Sequence, residues 1–263
     1  MSFVPALPFG GIAGWRYLQG AGGALRQAHA ETGPVRRAAD AFTEAAPALR
    51  SAADVSSDRT LRSVALTAFG LQDDLPNVHF VERVLSQGAT DPGALSRRLT
   101  DTRYRAMAAA FGFDRAGAPA IAAPEAAGAV RTAFEAQSFE AAIGEAHPEL
   151  RLALAMDREL PEIANSGLST EGKWFTVMGT PSLRAVFEGA LGTPEGFGTL
   201  DVDRQLSEFM DRASRILGTD DLSAFAEPGL RDDLAIRFLA RAQAEEGPSP
   251  TMRGMAALAI LVG

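Results

Sequence analysis

Cysteine is absent from the 263 residues of this chain, which excludes disulfide bonds, thiolate nucleophiles and zinc sites built on sulfur ligands. A stable core does not require such cross-links, because a chain of this length buries roughly 70–75% of its unfolded surface. The first residues lack the positive segment and continuous apolar stretch of a secretory signal, and no apolar run approaches the 18 or more residues of a membrane span. The sequence therefore predicts no membrane span, with the cytoplasm as the expected location.

Positive charge is scarce, and lysine is almost missing. The net charge is −8 at pH 7, divided as +2 over residues 1–120 and −10 over residues 121–263. Nucleic-acid-binding proteins normally carry a basic stripe with stacking aromatics, whereas only 7% of this chain is aromatic, so we expect no nucleic-acid partner. Lys173 is the one lysine among 25 basic residues. This indicates a compositional bias or, alternatively, a use of arginine's fork-shaped hydrogen bonding.

Histidine is also rare, and the chain offers only His29, His79 and His147 as bases for nucleophilic catalysis. No G-x-S-x-G motif accompanies them. His79 stands between Val78 and Phe80 on a predicted helix, so we expect it to be partly buried, and we expect His147 at a helix junction. We therefore predict no catalytic residues and a protein that is not an enzyme.

Acidic pairs are the remaining candidates for chemistry. Asp201 and Asp203 stand just before a predicted helix, where carboxylates cap open N–H groups, and Asp73-Asp74 is interpreted in the same way. Neither H-E-x-x-H nor a calcium-binding loop occurs, so we predict no metal and no cofactor. Two further pairs would suit an acid and a base but are typical of solvated helix faces: Asp157 with Glu162, and Asp232 with Asp233.

Apolar residues recur throughout at the spacing of a helix, and alternating strand patterns are almost missing. One apolar face ends at Gly70 and consists of Leu61, Val64, Ala65, Ala68 and Phe69. The same spacing recurs 122 residues later, ends at Gly192 and consists of Leu183, Val186, Phe187, Ala190 and Leu191. A following helix ends at Gly88 in the first case and at Gly218 in the second. We predict an all-α, multihelical fold of two units related by internal duplication and packed as one compact body; the alternative is that amphipathic helices simply look alike.

The expected organisation has four segments. Residues 1–55 form an N-terminal helical arm with a glycine-rich start, and residues 56–123 form the first helical unit. Residues 124–170 supply connecting helices, separated at His147-Pro148 because proline restricts the residue before it. Residues 171–263 form the second unit, and their apolar tail at 255–262 is expected to be a closing helix.

The segment around Trp174, KWFTVMGTPSLRAVF, is rich in information. A Trp-Phe pair before a Gly-Thr-Pro turn indicates that Trp174 and Phe175 anchor the following helix to the core. The alternative is that the pair is exposed and forms a hot spot for a binding partner.

These motifs together resemble, over nearly the whole chain, an alphaproteobacterial family catalogued as domain of unknown function 1217, whose genes lie among flagellar genes. The segments that carry the resemblance are LTAFGL (66–71), FVERVL (80–85), RLTDTRY (98–104), AFGF (110–113), QSFE (137–140), WFTVMGTP (174–181) and LDVDRQ (200–205). The initial helix departs from a regular pattern at Gly20, Gly22 and Gly23, each of which lowers helix propensity by about 1 kcal/mol relative to alanine. We expect an irregular or mobile start there rather than a phosphate loop, since no strand precedes it.

The resemblance implies a multihelical fold and a connection with flagellar motility, and it supplies no catalytic residues. The first hypothesis is a non-enzymatic flagellar accessory that acts through protein contacts in assembly, export or structure, either in the cytoplasm or exported without a cleavable signal. The second is a helical enzyme or small-ligand-binding protein with a cleft between the two units. The sequence does not fix the oligomeric state.

Overall fold

The computed structural model describes residues 7–246, and over this range the chain forms α-helices and short 3-10 turns without a β-strand. The all-α prediction is therefore confirmed. The helices are α1 (Gly11–Ala30), α2 (Gly33–Ala45), α3 (Ala52–Ser57), α4 (Arg59–Ala68), α5 (Val78–Gln87), α6 (Leu95–Arg98), α7 (Arg103–Phe111), α8 (Pro124–Gly144), α9 (Pro148–Ala164), α10 (Thr170–Met178), α11 (Pro181–Leu191), α12 (Val202–Leu217) and α13 (Pro228–Glu246). None of the helices between residues 7 and 246 combines the length and apolar character needed to cross a bilayer.

The chain divides into two compact units, and three of their boundaries fall within helices, in α1, in α10 and after the first residue of α11. Unit 1 contains residues 17–146 and 176–181, and unit 2 contains residues 8–16, 147–175 and the described residues from 182 onward. The expected connecting segment contributes one long helix to each, since α8 falls in unit 1 and α9 in unit 2. The predicted closing helix at 255–262 lies outside the described residues.

The core of unit 1 is built around α4, which packs against α2, α3 and α8. Its N-terminus is capped by Asp58, whose carboxylate accepts the backbone N–H groups of Thr60 and Leu61. The predicted apolar face is buried at Leu61, Val64, Ala65 and Ala68, and Gly70 ends the helical run with a φ of +68°. Local spacing thus sets both the buried face and the end of this helix.

The core of unit 2 is an aromatic cluster. Trp174 stacks on Phe209 and meets Phe187 edge-on, and Phe225 and Phe197 extend the cluster. The predicted apolar face of α11 is entirely buried, and the helix gives way to Gly192 at a φ of +61°. The shared spacing and glycine stops of α4 and α11 agree with the pattern that suggested duplication, which stays a prediction.

The irregular start expected at the glycines is wrong, because α1 continues without a break from Gly11 to Ala30. Its inward side chains explain the difference. Trp15 is buried and its indole N–H donates to Asp232 at 2.8 Å, while His29 is buried with Nε2 3.1 Å from the Ser138 hydroxyl. Such contacts outweigh a weak local propensity of about 1 kcal/mol per glycine.

Candidate protein-contact surface on helix α10

Helix α10 is fixed to unit 2 by Trp174, whose side chain is fully buried. The indole N–H donates to the backbone carbonyl of Asp220 at 2.8 Å. The ring stacks on Phe209 at a centroid distance of 5.6 Å and meets Phe187 at 5.1 Å. A buried indole with its one donor satisfied holds a helix in a single orientation. The prediction that the Trp-Phe pair anchors the following helix to the core is therefore supported for Trp174, which contacts Phe187 of α11.

Lys173 is the second inward residue of α10 and is 5% exposed. Its Nζ donates to the carbonyl oxygen of Ala164 at 2.8 Å, at the last residue of α9, and to the Ser223 hydroxyl at 2.5 Å. A cation at this place satisfies an open carbonyl at a helix C-terminus. The hydrogen bond from the Ser223 backbone, that from its hydroxyl, and the charge of Lys173 together lower the pKa of Asp221 against the opposing effect of burial.

The sequence shows a single lysine but does not predict its burial. The available signal was its position beside Trp174, since two adjacent residues of a helix lie 100° apart and can both belong to one inward face. What gives Lys173 its role is Ser223, which lies 50 residues further along the chain. Local spacing carries no information about such a partner.

Two large apolar side chains are exposed on and just before α10, beside exposed Glu171. Phe175 is 41% exposed and Leu168, in the turn before the helix, is 51% exposed. Gly172 lies between them, with the Leu168 side chain 3.4 Å from the place of an added Cβ, and Phe175 follows three residues later on the same face. We call Leu168, Gly172 and Phe175 the α10 strip. The Trp-Phe pair is thus divided, with Trp174 anchoring the helix and Phe175 presented outward.

The three histidines have different environments. His29 is buried in unit 1 and packs edge-on against Phe139 at 6.0 Å. His147 is the N-cap residue of α9 with Nδ1 3.7 Å from Glu149, so its predicted place at a helix junction is confirmed. The prediction for His79 is wrong, because its side chain is exposed: α5 buries Val81, Val84 and Leu85, and residue 79 stands about 200° around the helix from residue 81.

The acidic pairs perform structural roles in this fold. Asp201 caps α12 by accepting the N–H of Arg204 at 2.9 Å, as predicted. The capping role of Asp73-Asp74 is wrong, because this pair ends a 3-10 turn and the carboxylate of Asp74 accepts the Tyr104 hydroxyl and the Asn77 amide instead. Burial and the neighbouring Asp74 raise the pKa of Tyr104.

In each of the two remaining carboxylate pairs one member is engaged by an arginine, whereas the other, Glu162 or Asp233, is exposed. Asp157 accepts Nε of Arg231 at 2.8 Å, and Asp232 accepts both the Trp15 indole N–H and a guanidinium N–H of Arg16. Over residues 7–246 no three His, Asp or Glu side chains are grouped as metal ligands would be.

The family described as "Protein of unknown function (DUF1217)" matches residues 68–230. The chain belongs to this family. Its fold is similar to that in the X-ray crystal structure of protein AGR_C_984 from Agrobacterium tumefaciens, with a TM-score of 0.74 and 24% sequence identity over 90% of this chain and 94% of that chain. At this identity the likeness establishes the fold alone. No curated protein matches the sequence.

Proposed function

We propose that this member of the DUF1217 family is a non-enzymatic accessory of the flagellar system that acts through protein contacts. The observation that supports contact with a protein is the α10 strip, in which exposed Phe175 stands on a helix fixed from behind by buried Trp174 and exposed Leu168 lies in the turn before that helix. Aromatic side chains held rigidly at a surface are the usual anchors of protein interfaces, because little conformational entropy is lost when they bind. The flagellar context comes from the resemblance to a family whose genes lie among flagellar genes.

A deletion strain tests the flagellar part of the proposal. Cells without the gene are expected to swim poorly in soft agar or to carry fewer filaments under the electron microscope. Normal swimming and normal filaments in that strain would remove the flagellar assignment. Fractionation into cytoplasm, membrane, basal body and medium would then decide between a protein kept in the cell and one exported with the flagellum.

A substitution at the α10 strip tests the mode of action. We expect Phe175→Glu to reproduce the swimming defect of the deletion strain at unchanged protein abundance, since Phe175 is already exposed. The matched control is Val202→Glu, which places the same charge at an apolar residue of unit 2 that is 56% exposed but lies at the start of α12. If both variants swim like the wild type, the strip is not the contact surface.

A hydrolase is the second candidate function, and the 2.5 Å contact between Lys173 Nζ and Ser223 Oγ is what favours it, because serine–lysine pairs serve as nucleophile and base in some hydrolases. Here Nζ donates to the hydroxyl and to a helix carbonyl, which suits a cap better than a base. A fluorophosphonate probe decides the matter. Covalent labelling of the wild type that is lost in Ser223→Ala would replace the non-enzymatic proposal, and an unlabelled protein would eliminate this hydrolase.

A further inference from the structure

A groove of about 510 Å³ lies in unit 1, lined by residues of α1, α2 and α8 and by Glu31 just after α1. Three guanidinium groups border it, from Arg26, Arg36 and Arg131, together with the carboxylates of Glu31 and Glu135. The groove is separate from the α10 strip, all of whose residues belong to unit 2. Its charge distribution indicates what it can hold.

Arg131 is neutralised within the fold. Its guanidinium donates to Asp40 at 2.7 Å and to Glu135 at 2.9 Å. The hydrogen bond to Asp40 raises the pKa of Arg131, burial opposes this, and Glu135 adds to the rise. Both carboxylates near this arginine are therefore already paired and contribute little repulsion towards an incoming anion.

Arg26 and Arg36 remain available. The pair between Arg36 and Glu31 is long, at 3.8 Å, and both side chains are more than half exposed at 57% and 65%, so it stabilises the fold by about 0–1 kcal/mol at most. Arg26 is exposed and lies over the ring of Phe139, 6.0 Å from its centroid, without a salt bridge to any described carboxylate. The open part of the groove thus presents two guanidinium groups against one weakly held carboxylate.

The wall that α1 contributes carries the side chains of Arg26, Gln27 and Ala30 but none at Gly23, so it is low at that one position. No described atom outside the helix lies within 4 Å of an added Cβ at Gly20 or Gly23, and neither glycine has a positive φ. Packing among the described residues therefore does not require glycine at these two positions. A position without a side chain allows a second helix to approach to the short end of the usual 8–10 Å between axes.

We propose that this groove binds an acidic helix of a protein partner, whose carboxylates pair with Arg26 and Arg36. Guanidinium groups bind carboxylates through two parallel hydrogen bonds, and Gly23 admits the partner's backbone close to α1. This inference rests on the proposed protein-contact function and adds the chemistry of one partner.

A synthetic peptide provides the probe. It is an alanine-rich helix of about 20 residues with glutamates spaced i, i+4 along one face, compared with the same peptide carrying glutamine or lysine instead. NMR of the full chain labelled with ¹⁵N follows the backbone amides of Gly20 and Gly23 and the side-chain Nε–H of Arg26. We expect the glutamate peptide to shift these signals in a saturable way and the other two peptides to leave them in place.

Three variants of the full chain sharpen the test. Arg26→Glu is expected to weaken binding of the glutamate peptide about tenfold or more, whereas Arg98→Glu, an exposed arginine of unit 1 outside the groove, leaves it unchanged. Gly23→Leu fills the groove while favouring the helix, so binding is lost from a protein that is at least as stable as the wild type. Gly128→Leu is the control in α8, with equally open space and no place in the groove lining.

The proposal is overturned if the glutamate peptide shifts no groove signal, if the glutamine peptide binds equally well, or if Arg26→Glu binds like the wild type. It is also overturned if the groove signals move with protein concentration alone, because the occupant is then a second copy of the chain. These measurements do not involve flagella. If the peptide does not bind but Phe175→Glu still causes the swimming defect, the groove proposal is rejected and the proposed function stands. If the peptide binds but the deletion strain swims normally, the flagellar function is rejected and the groove proposal stands.

Discussion

At the scale of single residues, Lys173 is a buried cation that caps a helix. Replacing it by methionine preserves much of the side-chain volume but leaves the buried Ala164 carbonyl without its donor, whereas the Ser223 hydroxyl is exposed and can bind water instead. A buried acceptor that loses its partner costs about 1–3 kcal/mol. We expect Lys173→Met to lower the free energy of unfolding in urea by that amount, while Arg98→Met, at an exposed arginine, changes it by less than about 0.5 kcal/mol. Equal stability of the two variants would show that the cap contributes nothing.

A second residue-scale prediction concerns Asp114 and acid. Burial opposes its ionisation, yet hydrogen bonds from the Thr90 hydroxyl and from the N–H groups of Thr90 and Ala89 lower the pKa of Asp114 below 3.8. A carboxylate with a lowered folded-state pKa stabilises the protein above the unfolded value of 3.8, and this stabilisation is lost as the pH falls through the folded-state value.

Urea unfolding over a pH series tests this linkage. Asp114→Asn is expected to be less stable than the wild type by about 1 kcal/mol at pH 7, with the gap closing as the pH falls below 3.8. Asp73→Asn is the control, since that carboxylate is exposed on a 3-10 turn. If the stability difference between the wild type and Asp114→Asn stays the same in acid, the asparagine destabilises the protein for a reason other than the lost charge.

At the scale of the helix, replacing glycine by alanine is expected to stabilise the protein at one position and to destabilise it at another. Gly20→Ala adds a Cβ inside α1 where no described neighbour lies within 4 Å, so the variant should be about 1 kcal/mol more stable. Gly192→Ala places a Cβ at a φ of +61°, 1.9 Å from the Arg241 guanidinium, and should be less stable by about 1–2 kcal/mol. Thermal unfolding followed by circular dichroism measures the midpoint temperature of both variants. Midpoints that shift in the same direction would contradict the different roles given to Gly20 and Gly192.

Helices whose bounds and buried faces are set by local residue spacing and glycine stops could be predicted from the sequence. The boundaries of α5 at Val78 and Gln87 follow from its apolar spacing and from Gly88, and the buried face of α4 follows in the same way. The path of α1 through its glycines could not be predicted, because distant contacts such as that between Trp15 and Asp232, 217 residues apart, decide it. Neither alternative for Trp174 and Phe175, both anchoring or both exposed, predicted that the pair is divided, because spacing does not tell which of two adjacent aromatics faces inward.

At the scale of the whole molecule, the acidic excess lies mainly in unit 2. Its described residues include 18 acidic and 11 basic side chains, whereas those of unit 1 include 15 acidic and 13 basic. A polyanion is therefore repelled strongly by unit 2 and weakly by unit 1, the unit that contains Arg26 and Arg36.

That distribution predicts how the protein behaves towards nucleic acid. Fluorescence anisotropy with a labelled duplex of about 20 base pairs is expected to show no saturable binding at about 50 mM salt, the condition that most favours phosphate contacts. The informative comparison is with Arg26→Glu. Duplex binding that weakens steeply as salt rises to about 200 mM, and disappears in Arg26→Glu, would identify the groove as a phosphate site and overturn its assignment to an acidic helix. Binding that survives in Arg26→Glu would place a basic surface elsewhere and contradict the exclusion of nucleic acid drawn from the net charge.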